Sequence, residues 1–171
     1  MWFFRSKNLP FHDRCALALA LARRVCLVEE AKSVNALHFL KGIIHSGDPA
    51  VATIFDTLAF NYSSEINQMR PKLDDPAKQA LAIRIPYAND VKKILARSHR
   101  YARKHKKTEV VATDLLEGML EEAPKIVREA LDAHGISFSR IRQQLDQYQA
   151  GSLKKITEKP PNPAPDRVKT L

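Results

Sequence analysis

Apolar residues in this chain fall in short blocks at helical spacing, separated by clusters of Gly, Pro, Asp, Asn and Ser. That pattern predicts helices joined by turns. The first helix begins near His12-Asp13 and runs to about Glu30. Ala, Leu and Cys cover nearly every side of it, which predicts a buried central helix. Asn35 can cap a second helix ending near His45. Asp48 and Pro49 supply the N-cap and first-turn proline of a third, ending near Leu58. Ser63 or Ser64 can start a short fourth that ends near Met69.

The pattern then repeats. Phe11 set against Tyr87 defines an offset of 76 residues that holds without a gap until the low sixties meet the late 130s. Val34 to Ile44 faces Val110 to Leu120, with valine, alanine, leucine and glycine recurring in register. The second copy predicts helices from about Asn89 to Lys107 and from about Ala112 to Glu121. A third has Pro124 in its first turn and stops before Gly135, and a fourth runs from Ser137 or Ser139 to about Ala150. A repeat of this length is one supersecondary unit, and two copies can bury their apolar faces on each other. The expected fold is all-α, a pseudo-twofold duplication of a four-helix unit with about eight helices. One domain spans 1–150, with repeat one at about 11–69, a linker at 70–86 and repeat two at about 87–150. Within the linker, Ala77 to Ile83 can form one extra turn. The Pro-rich segment 151–171 reads as an extended, flexible tail.

Composition narrows the class. The chain has 171 residues, 44% hydrophobic and only 5 glycines, enough for a single cored domain and poor in hairpin material. Cys15 and Cys26, eleven residues apart on one helix, lie roughly 16 Å apart along its axis and cannot pair with each other. They read as two small buried hydrophobes, compatible with a reducing, cytoplasmic setting. No apolar run approaches the ~18 residues of a membrane span. Trp2-Phe3-Phe4 is too short for a signal peptide and reads as an arm that packs on the domain.

The net charge of +9 is unevenly placed. Arg84 to Lys107 holds nine basic residues and one acid, Asp90. Lys93, Arg97, Arg100, Lys104 and Lys107 are spaced 4, 3, 4 and 3, a cationic stripe roughly 80° wide. Val91, Ile94, Leu95, Ser98 and Ala102 lie opposite. The stripe is a solvated face neutralised by nearby acids, a docking surface for an acidic partner, or a nucleic-acid contact. The last is the weakest, because Tyr101 is the one aromatic close to the stripe and base stacking needs more.

Phe11-His12-Asp13-Arg14, followed by an Ala/Leu-rich helix, resembles the opening of a Clp N-terminal repeat. Ile85 to Leu95 is similar to the second opening, and the segments ending in Gly42 and Gly118 resemble the family's Gly-Thr-Glu-His-Leu-Leu-Leu-Gly signature. The resemblance covers about residues 11 to 147. It implies the eight-helix N-terminal domain of Clp/Hsp100 unfoldases, of the ClpC/ClpA-like kind, present as a fragment or a stand-alone relative. It also implies a non-catalytic role. The partners implied are adaptor proteins, unfolded or tagged substrates, or Clp protease and unfoldase subunits. The domain itself is expected to be monomeric, without cofactor, metal or membrane contact.

Departures from the family pattern matter. In the ClpC-type branch a Thr and a Glu in each repeat bind phosphorylated arginine. The Thr positions here hold His12 and Ala88, and the Glu positions hold Leu37 and Thr113. A guanidinium needs carboxylate partners, so that recognition is not carried over. Ala36 and Ala112 replace the capping threonine, which shifts capping to Asn35 and Thr108. His38 reads as structural, and Glu29-Glu30 and Glu121-Glu122 as solvated. No phosphate loop, nucleophile elbow, Cys-x-x-Cys pair or zinc-binding histidine spacing is present. The candidate protein-binding residues are therefore Lys93, Arg97, Arg100, Lys104 and Lys107, with His12, Asp13, Leu37 and Thr113 at the repeat openings and signature positions.

Overall fold

The computed structural model describes residues 8–58 and 82–151. Among them are seven helices: α1 (Asp13–Val28), α2 (Ala36–His45), α3 (Pro49–Thr57), α4 (Asn89–Lys104), α5 (Ala112–Glu122), α6 (Lys125–Ala133) and α7 (Phe138–Gln149). Residues 82–84 add a short helical stretch. The N-terminal arm, the fourth helix of the first unit, most of the linker and residues 152–171 lie outside the described residues.

The duplication is visible helix by helix. α1 and α4 start 76 residues apart and end 76 residues apart, as do α3 and α6. Even the left-handed residues that close α1 and α4 correspond: Glu30 has φ 55° and Lys106 has φ 54°. Local chemistry explains most ends. The Asn35 side chain accepts from the backbone N–H of Leu37 and of His38, both at 3.0 Å, and His38 Nδ1 accepts from Asn35 N–H in return. Asp48 accepts from Ala50 and Val51 N–H, with Pro49 following as expected. Ser137 caps α7, and Gly135 takes φ +72° after α6.

Three expectations fail. Pro124 is the N-cap of α6, one residue before its first turn. Thr108 is exposed, and the N-cap of α5 is Val111, which makes no side-chain cap hydrogen bond. Buried Asp114 instead accepts Val111 N–H at 2.9 Å from inside α5. Finally, α1 is not buried on all sides. Cys15, Ala18, Ala22, Val25 and Cys26 are buried, but Leu17 and Val28 are 39% and 50% exposed. Apolar composition on every side did not distinguish a core face from a tolerated surface, which monomeric proteins routinely leave apolar.

The two units interlock through two isolated parallel bridges, Phe11 with Val110 and Val34 with Tyr87. Val110 N–H donates to Pro10 and His12 N–H to Val110; Val34 N–H donates to Pro86 and Ala88 N–H to Val34, all at 2.9 Å. Each bridge is the 76-residue image of the other. The opening of each unit thus pairs with the extended segment that leads into the other unit's second helix. α1 packs on α2 and α4 on α5, while α2 and α5 also touch each other at the centre. Phe39, Ile43, Ile54 and Phe55 join Ile94, Leu115, Leu116 and Met119 in one buried cluster.

Candidate functional site

The sequence singled out α4, and its surroundings decide which of its cations are available. Arg97 leans toward α5, with Nε 2.9 Å from Glu121 Oε2 and Nη2 2.8 Å from Glu122 Oε1. The hydrogen bond that the guanidinium donates to Glu122, then the charge of Glu121, raise it above its ordinary pKa. Lys107 is not on the helix at all. α4 ends at Lys104, and the left-handed turn at Lys106 folds Lys107 back so that its Nζ lies 2.5 Å from the fully buried Asp114 carboxylate. Glu121 and Glu122 are ion-paired rather than merely solvated, and so is Glu29, which contacts Lys41 at 2.6 Å and buried His38 at 2.8 Å.

Lys93, Arg100 and Lys104 are exposed, and none makes an ion pair or side-chain hydrogen bond among the described residues. Asp90, the single acid of the basic segment, is engaged elsewhere. Its Oδ2 accepts Ala36 N–H at 3.0 Å, helping to cap α2 across the repeat boundary. The exposed cations of α4 are therefore not neutralised by it.

A groove of about 570 Å³ runs beside this face, between the segment at Asn8 to Phe11 and α4. Its floor is apolar. Phe11 and His99 rings meet at 4.9 Å and 57°, flanked by Leu95 and Ala96. Its rim is cationic, formed by Lys92, Arg100 and Arg103. Arg103 donates to Asn8 Oδ1 at 3.1 Å. His99 is buried, with Nδ1 lacking a hydrogen-bond partner among the described residues. Burial, then the Arg103 charge, lower its pKa and favour the neutral ring. The pseudo-equivalent contact in the other unit differs in kind: Arg23 sits over the Tyr87 ring at 4.4 Å and donates to Ile85 O.

The remaining sequence candidates are dispersed. His12 caps α1, with Nδ1 accepting Arg14 N–H at 3.2 Å, and the bridge to Val110 sets it near the start of α5, whose first turn holds buried Thr113. Asp13 is exposed in the first turn of α1. Leu37 lines a separate apolar groove of about 320 Å³ between α2 and α6, with Leu40, Ile44 and Leu131. No carboxylate stands at the Leu37 or Thr113 position. Of the stripe, only Arg100 reaches the groove beside Phe11. Lys92, His99 and Arg103 were missed because they lie to one side of the stripe, and Leu95 because it was assigned to the buried face opposite. No sequence signal pointed to them, because the Phe11 ring reaches His99 only through the pairing of each opening with the other unit.

Among the described residues no cluster of His, Cys, Asp or Glu is arranged to hold a metal ion, and no helix is long and apolar enough to cross a membrane.

A duplicated helical unit with interlocked openings defines a recognised domain type. The family described as Clp repeat (R) N-terminal domain matches residues 10–134, and the chain belongs to that family. Its fold is similar to the N-terminal domain of the caseinolytic protease associated chaperone ClpD from Arabidopsis thaliana, with 13% identity and a TM-score of 0.60 over 81% of this chain and 96% of that one. It is also similar to the Hsp104 N-terminal domain from Candida albicans, with 15% identity and a TM-score of 0.59 over 86% of this chain and 95% of that one.

Proposed function

We propose that this chain is a non-catalytic docking module that receives adaptor proteins or unfolded substrate segments for a Clp-type ATP-dependent unfoldase. The observation that carries this reading is the open groove between Phe11 and α4, apolar at its floor and lined by both repeats. A surface of that kind suits a peptide segment, in which one side chain is buried and the backbone stays near solvent. In this reading residues 1–150 form the docking domain and the Pro-rich segment 151–171 is its tether, placing the module within reach of a motor.

Family membership supports the setting. The lack of a carboxylate at Leu37 and Thr113 separates this chain from phosphoarginine recognition. Nucleic acid is the weaker partner class, because Arg97 and Lys107 are held by Glu121, Glu122 and Asp114, and a phosphate backbone would have to compete for them. If the chain instead acts as an accessory to an assembled Clp complex, the partner is a protease or unfoldase subunit.

The test is binding of the purified chain to a permanently unfolded, reduced and alkylated protein, followed by calorimetry without nucleotide. Saturable binding that needs no nucleotide is expected. Binding to oligonucleotides but to no unfolded protein would overturn the reading.

A further inference from the structure

We propose that the groove beside Phe11 takes a short acidic peptide segment, with one apolar side chain on the Phe11, Leu95 and His99 floor and carboxylates on Lys92, Arg100 and Arg103. The inference rests on the docking reading and adds the chemistry of the occupant.

Charge complementarity carries it. Among the described residues three cations rim the groove and no acid lines it. Among the described residues Lys92 and Arg100 make no ion pair or side-chain hydrogen bond, and the side-chain hydrogen bond of Arg103 goes to the neutral Asn8 amide rather than to an acid. This contrasts with Arg97 and Lys107 on the same segment, whose charges are matched by protein carboxylates. A guanidinium is the donor geometry suited to bidentate carboxylate contact. Arg100 and Arg103 lie one helical turn apart, about 5 Å along the axis. Acidic side chains at alternate positions of an extended segment are about 7 Å apart and can reach both. Lys92 to Arg103 spans roughly 16 Å of helix, the length of about five extended residues.

The floor adds a second requirement. Phe11, Leu95 and Ala96 offer no hydrogen bonds from their side chains, and the neutral form of His99 is the favoured one. A purely polyanionic ligand leaves that surface wet. A segment of the type acidic-acidic-apolar-acidic-acidic covers it.

The experiment measures anisotropy of a peptide Glu-Glu-Leu-Glu-Glu carrying an uncharged dye, titrated with the full chain at low salt. Saturable binding is expected, weakened about threefold by each of Lys92→Gln, Arg100→Gln and Arg103→Gln, and weakened steeply by added salt. The Gln-Gln-Leu-Gln-Gln peptide should not bind, and Glu-Glu-Gly-Glu-Glu should bind less well. Lys92 and Arg100 are exposed, so melting temperatures near that of the parent check that these variants fold. Failure of the acidic peptide to bind, or equal binding by all variants, overturns the proposal. So does a single-stranded oligonucleotide that binds and is not displaced by the peptide. If the unfolded-protein assay is positive while the peptide fails, the groove chemistry is wrong and the docking reading stands. If both fail, the docking reading falls as well.

Discussion

At the scale of single residues, burial decides reactivity. Cys15 donates its S–H to Val110 O at 3.2 Å and Cys26 to Ala31 O at 3.3 Å. Burial, then nearby Asp48 and Asp114, push the Cys15 thiol up to about 12, and burial with Glu29 raises Cys26 too. Thiolate is the reacting form. A disulfide reagent at pH 8 should therefore label neither thiol in the native chain and both after denaturation; rapid native labelling of Cys15 would show that its contact with Val110 opens, and of Cys26 that the turn after α1 opens. His99 gives a second expectation. Its folded pKa lies below the ordinary 6.5, for reasons of burial and the Arg103 charge, with Arg100 and Lys92 on the same rim. As pH falls through about 6.5 the unfolded chain takes up the proton first, so stability declines until the folded ring also protonates. Denaturant midpoints at pH 7.5 and 5.5 should differ less in His99→Phe than in the parent. Little of this was legible in sequence. The small, buried character of the cysteines was, because their spacing on one helix ruled out a bridge. The role of His99 was not, because it depends on a ring contributed from 88 positions earlier in the chain.

At the scale of elements, the repeat predicts more than helix positions. Gly42 and Gly118 are pseudo-equivalent, and each marks where two helices cross. A Cβ at Gly42 would lie 2.2 Å from Ala18 O, and one at Gly118 would lie 2.5 Å from Ile94 O. Ala18 and Ile94 are themselves 76 residues apart. Propensity alone makes Gly→Ala in a helix favourable by roughly 0.5–1 kcal/mol. The backbone contacts reverse the sign, because separating the helices exposes core and overpacking costs about 1–3 kcal/mol. Gly42→Ala and Gly118→Ala should each lower the denaturant midpoint, and a rise for either would show that the two helices can part there without cost. Helix ends were legible wherever a cap lay next to its helix, as with Asn35, Asp48 and Ser137. They were misread where the cap came from elsewhere. Asp114 acts from within α5, and Lys107 joins it only because a left-handed Lys106 breaks α4 first. A helical wheel carried past that break placed Lys107 on a stripe it does not share.

At the scale of the molecule, the exchanged bridges imply that neither unit is a folding unit. The opening of each copy finds its hydrogen-bond partners only in the other, at Val110 for the first and Val34 for the second. The buried cluster likewise draws large side chains from both, including Phe39 and Phe55 with Leu115 and Met119. An internal repeat can be read from sequence, but exchange of partners cannot, because register within each copy is the same whether the openings pair within a unit or across. The distinction is measurable. The chain can be produced as two pieces split between Asp75 and Pro76, outside the described helices. Each piece alone would carry unpaired backbone at its opening and half a core, too little to offset its conformational entropy at that size. Neither should show a cooperative thermal transition by circular dichroism. Mixing them should restore one whose midpoint rises with concentration and stays below that of the intact chain, since covalent linkage supplies an effective concentration in the millimolar range. A cooperative transition in either isolated piece, near that of the intact chain, would mean the unit folds alone. The groove beside Phe11, which needs both copies, would then be a surface assembled after folding rather than part of a shared core.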